Sequence, residues 1–300
     1  PGYYAPSATL NFAPGCLKEA VVAGNSARLA LSASVPRAFG FSKSADYDTF
    51  QNIDLSGFII DGGNASGKGA AIIGTNVAGS NLTRVQFKNV HVHDIYAFNV
   101  KQDSNVGTNH MGFIQFSPQT TGSESEVLDF ENVVIERVTM AGGNWGVLFT
   151  GNATNPTKER LSGITVRDCS VDMRPVGAQI ATGYYAGTGF HFGGYALGEN
   201  LTVENLTVYA SPDNCYEFNN WQTVSATALR CVNPMVTGFT IKNFTTPTDF
   251  KQQRITITNA PVEMTVATPA DPDGDGTPQY APSAFTVTTA ASIPMGDVII

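Results

Sequence analysis

The sequence predicts an all-β fold, a right-handed parallel β-helix in which a solenoid of coils stacks around one apolar core. Three observations carry that prediction. The 300 residues include 30 Gly and 16 Pro but are only 14% charged, against roughly 25% in an average soluble domain. Such a chain lacks the long Ala, Leu, Glu and Lys runs of a helical bundle or coiled coil, while its 42% hydrophobic content is ample for a core. A unit of the form apolar-x-apolar, polar, Asn/Asp/Gly, apolar-x-apolar recurs along the chain. The unit stays constant while the distance between copies varies, as in a solenoid whose coils carry loops of different length on one side.

The copies read Ile53-Asp-Leu-Ser-Gly-Phe-Ile-Ile60, Val85-Gln-Phe-Lys-Asn-Val-His-Val92, Leu128-Asp-Phe-Glu-Asn-Val-Val-Ile135, Ile164-Thr-Val-Arg-Asp-Cys-Ser-Val171, Leu201-Thr-Val-Glu-Asn-Leu-Thr-Val208 and Phe239-Thr-Ile-Lys-Asn-Phe-Thr-Thr246. Their central residues Gly57, Asn89, Asn132, Asp168, Asn205 and Asn243 are separated by 32, 43, 36, 37 and 38 residues. Apolar residues alternate, so each copy is a pair of short strands meeting at a residue that tolerates left-handed backbone. A second strand follows in several coils, at Phe113–Phe116, Val147–Phe149, Phe190–Phe192 and Tyr216–Phe218, with large aromatics at matching inward positions. Residues 16–35 are Ala-rich and suit a short helix or a strand equally. The β-helix is expected over 1–260, with 261–300 as final coils or a small β cap. The opening Pro1-Gly-Tyr-Tyr4 and closing Asp297-Val-Ile-Ile300 read as strand interior, so a segment of a longer protein is expected.

Stacked coils bring matching residues to the strand spacing of ~4.8 Å, so columns are where sites must be sought. The Asn column is expected to be an amide ladder capping turns. The column before it, Lys88, Glu131, Arg167, Glu204 and Lys242, alternates in sign and predicts an inter-coil ion-pair ladder. Two columns carry chemistry. After the second strand stand Asp61, His93, Glu136, Asp172 and Tyr209, where two carboxylates on adjacent coils would lie ~5 Å apart, the separation of retaining glycosidases. On the later strand Gln115, Leu148, His191 and Glu217 point outward together, with Asp213 just before the strand and Trp145, Tyr184, Tyr185 and Trp221 nearby. Carboxylates and a histidine beside aromatic platforms suit sugar recognition and cleavage, because sugar rings stack on apolar faces while polar groups bind hydroxyls. Glu217 is the expected proton donor, Asp213 the base or nucleophile and His191 the residue that orients Glu217. Gln115, Trp145, Tyr184, Tyr185 and Trp221 are the expected substrate contacts. Plain structural roles for these polar residues stand beside each reading.

The loop Asp271-Pro-Asp273-Gly-Asp275-Gly276 alternates oxygens as a calcium loop does, but Pro282 occupies the place of the bidentate Glu, so no cofactor is required and Ca²⁺ is the one the loop would take. The net charge of −8 argues against nucleic acid, and no apolar run reaches the ~18–20 residues of a membrane span. Cys215 and Cys231 either pair in an oxidising compartment or remain buried thiols, and the scattered spacing of the four cysteines favours thiols. Sequons occur at Asn64, Asn81, Asn152, Asn200, Asn205 and Asn243.

The opening Pro1-Gly-Tyr-Tyr4, then Ala8-Thr-Leu10 and Gly24-Asn-Ser-Ala27, resembles the first coils of the pectate-lyase-like β-helix superfamily, and the repeated units extend that resemblance over roughly residues 1–260. Where polygalacturonase-type members carry their catalytic motifs, this chain reads Asn109-His-Met111, Asn144-Trp145 and Gly187-Thr-Gly189, and Asp213-Asn-Cys215 keeps one carboxylate of an Asp-Asp-Cys segment. The resemblance implies a carbohydrate-facing β-helix of the phage tailspike and depolymerase type, extracellular or virion-associated and commonly trimeric. Three functions are open: a depolymerase of bacterial surface polysaccharide, a non-catalytic receptor-binding or structural module of a virion, and a secreted microbial polysaccharide hydrolase or lyase.

Overall fold

The computed structural model describes residues 3–5, 8, 10–12, 20–31, 37–42, 47–62, 71–76, 83–100, 112–116, 126–142, 145–150, 160–173, 187–193, 197–211, 213–234, 236–243, 254–264, 283–289 and 297–300. In chain order the strands are β1 (Tyr3–Tyr4), β2 (Leu10–Phe12), β3 (Ala20–Ala30), β4 (Arg37–Ser42), β5 (Tyr47–Asp61), β6 (Ala71–Asn76) and β7 (Thr83–Val100). There follow β8 (Gly112–Phe116), β9 (Glu126–Gly142), β10 (Trp145–Thr150), β11 (Arg160–Asp172), β12 (Phe190–Gly193), β13 (Leu197–Tyr209) and β14 (Asn214–Asn219). The last are β15 (Trp221–Val232), β16 (Thr237–Asn243), β17 (Arg254–Thr258), β18 (Val262–Glu263), β19 (Ser283–Thr289) and β20 (Asp297–Ile299).

Two sheets hold all of them, and the pairings are parallel throughout. From β1 to β17 the chain alternates, odd-numbered strands joining the first sheet and even-numbered strands the second. The arrangement is compatible with a parallel β-helix. Near the end β19 pairs with β16 and β20 with β17, so both sheets continue past residue 260.

The core lies between the sheets and is layered by aromatic stacks. Phe50, Phe87 and Phe130 follow one another at 5.3 and 4.9 Å on the first sheet. On the second, Tyr216, Phe239 and Phe285 stack at 4.9 and 4.8 Å, close to the ~4.8 Å between strands. Cys215 and Cys231 are joined as a disulfide across a separation of 16 residues, so the sequence preference for free thiols is corrected. The two strands carrying them lie in different sheets, and that proximity is invisible in spacing alone.

The long strands of the first sheet bend at left-handed residues placed five apart: Asn52 and Gly57, Asn89, Asp94 and Asn99, Asn132, Arg137 and Gly142, Gly163 and Asp168, Asn205 and Ala210, Ala228 and Asn233. Each bend leaves two outward residues side by side, as Arg167–Asp168 between buried Val166 and Cys169. Buried positions therefore fall at alternating intervals of three and two, as in Phe130, Val133, Ile135, Val138 and Met140.

That period corrects the sequence columns. Ile164 pairs with Val133, which sets Gly163 beside Asn132, and Arg167 pairs with Glu136, which sets Asp168 beside Arg137. The single expected amide ladder is two ladders at different bends. Asn132 donates to Asn89 (2.8 Å) and Asn89 to Asn52 (2.9 Å), while Asn205 donates to Asp168 (2.7 Å). Gly57 lies beside Asp94, five residues beyond the Asn52 position. Asn243 is on the second sheet. The expected charge ladder breaks in the same way. Lys88 and Glu131 meet at 2.9 Å and Arg167 pairs in register with Glu204, but Glu131 is opposite Ser162, and Lys242 belongs to the other sheet.

Candidate active site

On the second sheet, backbone register runs Gln115–Leu148–His191–Glu217–Thr240–Thr286 through β8, β10, β12, β14, β16 and β19. Phe190 and Phe192, Tyr216 and Phe218 fill the core, and the residues between them face outward. That outer face is itself covered, because every residue of β12 and β14 is buried. Glu217 is 4% exposed and His191 9%.

A buried carboxylate must be paired and hydrogen-bonded, and Glu217 is. Its Oε1 accepts from Asn219 Nδ2 (3.0 Å) and Lys242 Nζ (3.1 Å), and its Oε2 accepts from Asn214 Nδ2 (3.2 Å). His191 Nδ1 faces Oε2 at 3.4 Å. Thr240 Oγ1 in turn holds the Asn214 carbonyl (2.8 Å), which fixes the amide's orientation. Burial pushes the Glu217 pKa up, but His191, Lys242 and Asn219 outweigh it and hold the carboxyl well below its ordinary range. Asp213 behaves oppositely: burial and the Glu217 charge push it up to about 7 against the opposing pull of Lys242 and His191. The same surroundings thus move the two carboxyls in opposite directions, Glu217 toward the ionised form and Asp213 toward the protonated one. Asp213 is half-buried at a braced corner, its amide donating to the Gly187 carbonyl (3.0 Å) and its own carbonyl accepting from Thr237 N (3.2 Å).

The aromatics are placed differently from expectation. Trp145 is 7% exposed and sits edge-on to His191, ring centroids 5.3 Å apart, so it packs on the histidine instead of offering an open face. Trp221 is wholly buried, donates from its indole nitrogen to the Phe192 carbonyl (3.1 Å) and covers Gly198, where a Cβ would come within 2.2 Å of the ring. It is a core residue, which corrects its reading as a sugar platform. Tyr184 and Tyr185, and the Asp271, Asp273 and Asp275 loop, lie outside the described residues, as does the side chain of Gln115.

The other expected column assembles only in part. His93 pairs in register with Glu136 and Asp172 with Tyr209 as expected, but Asp61 is opposite Phe98 and Asp172 opposite Ala141, so the column breaks into two short pieces. Asp61 instead pairs with Arg28 and accepts from Asn99 Nδ2 (3.1 Å). Around His93 and Glu136 stands a cluster whose other members, Asp54, His91, Asp94, Arg137 and Arg167, the column did not include. Glu136 is driven up by burial but more strongly down by hydrogen bonds from Arg167, Arg137 and His91, to about 2. Asp54, His91 and His93 are the described residues whose donor atoms converge enough to hold a metal ion. The signal was their shared outward parity on adjacent strands, legible only with the correct register. A groove of about 270 Å³ on the first sheet is lined by Gln86, Phe87, Lys88, Asp129, Phe130, Glu131, Arg160 and Ser162.

No family model, curated protein or solved structure matches this chain.

Proposed function

We propose that the chain is a right-handed parallel β-helix of the pectate-lyase-like type that binds and cuts a bacterial surface polysaccharide, working outside the cell or on a virion, as tailspike depolymerases do. Strands that alternate between two parallel sheets support the solenoid, and crossover connections between parallel strands are right-handed in about 98% of cases. The Cys215–Cys231 disulfide supports an oxidising location.

The observation that carries the enzymatic reading is the paired carboxyls Asp213 and Glu217, pushed apart in pKa by the same surroundings. Such a split assigns acid and base roles within one site. Asp213, protonated near neutral pH, is the general acid toward a glycosidic oxygen. Glu217 is a fixed anion that stabilises positive charge developing on the sugar, and Lys242 and His191 hold it in place. The burial of Glu217 and His191 favours a second reading, a non-catalytic binding module in which this network only braces the sheet.

Release of reducing ends, together with absorbance of unsaturated uronates, over a panel of bacterial surface glycans separates hydrolase, lyase and inert binder. Asp213→Asn is expected to lose at least ~10²-fold in rate while glycan affinity is kept. Unchanged cleavage by that variant removes Asp213 from the reaction. Binding without cleavage by the unaltered protein establishes the module reading.

A further inference from the structure

We infer that Asp54, His91 and His93 form a binding site for a divalent transition-metal ion of the zinc class on the outer face of the first sheet. The site is separate from the carboxyl pair, of which Glu217 stands on the second sheet and Asp213 at the corner before it. His91 and His93 lie two residues apart on β7, so strand parity sends both to the same face, and their rings stack with centroids 4.0 Å apart. Asp54 on β5 is the register partner of His91. One nitrogen of each ring is turned to its carboxylate. His91 Nδ1 lies 3.2 Å from Asp54 Oδ2, and His93 Nε2 lies 3.1 Å from Oδ1 and 3.3 Å from Oδ2. All three donor atoms fall within 4.8 Å of one another. Ligand atoms of a tetrahedral zinc ion with bonds of ~2.0–2.1 Å stand ~3.3 Å apart, so these donors need only a small adjustment to close on one ion.

The remaining ring nitrogens decide the chemistry. His91 Nε2 faces Glu136 Oε1 at 3.1 Å, and His93 Nδ1 faces Asp94 Oδ2 at 2.5 Å. An imidazole that donates its one N–H to such a carboxylate has its lone pair on the other nitrogen, here the one turned to Asp54. In that tautomer two lone pairs and a carboxylate point at one another, a set of acceptors that attracts a positive centre among them. Carboxylates behind metal-ligating histidines fix the tautomer and the ring orientation in this way. These carboxylates are themselves anchored. Arg137 Nε donates to Asp94 Oδ1 (2.7 Å), and Arg167 Nε to Glu136 Oε2 (2.5 Å). The cations hold the outer carboxylates, leaving Asp54 to serve the ion.

Two imidazoles and a carboxylate suit zinc and its neighbours and not calcium or magnesium, which take oxygen ligands. The side chains of Asp54 and His91 are each 34% exposed, so an ion held here is reachable from solvent and keeps a coordination position for water or an anionic ligand.

The test is titration of the full chain with Zn²⁺, by calorimetry and by competition with a chromophoric chelator. One tightly bound Zn²⁺ per chain is expected, with no comparable heat from Ca²⁺ or Mg²⁺. The single variants His91→Ala and His93→Ala should each abolish it, with unchanged circular dichroism and melting in chelator as proof of folding. Asp94→Asn should weaken it 10–100-fold, because it removes only the support behind His93. Long-range ¹⁵N spectra of the histidine rings give a second readout: zinc must shift Nδ1 of His91 and Nε2 of His93. No binding by the folded chain, binding that survives both histidine variants, or a shift at the opposite ring nitrogens overturns the proposal.

Discussion

The outer faces of the two sheets are built from the same kind of stacked parallel strands, yet they treat charge in opposite ways. On the first sheet outward residues are mostly exposed or half-exposed, as on β11, where buried and exposed positions alternate, with Glu136 and Asp61 buried against arginines. Lys88 and Glu131 meet there with side chains 37% and 62% exposed. On the second sheet Lys242 meets Glu217 at nearly the same distance, 3.1 Å, but the carboxylate side chain is 6% exposed. A covered face tolerates a charge only when it is paired and hydrogen-bonded, hence Asn214, Asn219 and Lys242 around Glu217. An open face leaves the charges to water, and its ordered cluster around His91 and His93 is the exception that requires explanation. Similar pair distances, 2.9 and 3.1 Å, therefore carry different energies.

Four experiments test that contrast. The largest effect belongs to what the faces share. Phe130→Ala beneath the first sheet and Phe192→Ala beneath the second should each cost ~3–5 kcal/mol in denaturant unfolding, because both rings are fully packed in the same core. A large inequality would mean that the core is not common to the two sheets. Next, Lys242→Met should cost about 2–3 kcal/mol, less than the ~3–5 of a wholly buried pair because Lys242 keeps 30% exposure. Lys88→Met should cost under ~1 kcal/mol. Equal losses would erase the distinction between the faces.

The pH dependence isolates the covered face. Asp213 has a folded pKa of about 7 against an ordinary 3.8, so the folded chain binds the extra proton between those values. Its stabilisation is complete below about pH 4 and is lost as pH rises through about 7. Glu217 is shifted the other way, so its contribution is present above the ordinary 4.5 and fades only as pH falls below it. Melting of Asp213→Asn from pH 4 to 8 should therefore decline less than that of the parent chain. Parallel curves would place Asp213 in water. The smallest effect is at Ala228, which holds a φ of 55° between Asn205 and Asn259 at one bend. Ala228→Asn should stabilise by ~0.5–1 kcal/mol, since Asn tolerates this backbone and can join the amide ladder. A loss would show that the outward space at that bend is closed.

The parallel, all-β character was legible in the sequence because alternation of apolar residues is a local property. So was the outward run Leu148, His191, Glu217, because the large apolar residues flanking each of them, Val147 and Phe149, Phe190 and Phe192, Tyr216 and Phe218, mark the core side of a short strand. Register on the first sheet was another matter. Left-handed residues every five positions make the pattern repeat within a strand, so sliding Asp168 from Arg137 to Asn132 superimposes buried on buried and polar on polar. A one-residue slip would have turned every side chain inside out, whereas a five-residue slip conceals itself. Stacking across strands selected the register, and with it came the pairing of His93 with Glu136, the separation of Asp61 and Asp172, and the meeting of Asp54 with His91. Tertiary structure alone also decided the burial of Trp221, the union of Cys215 with Cys231, and which of Asp213 and Glu217 keeps its proton, because each depends on neighbours from other strands and on the removal of water around them.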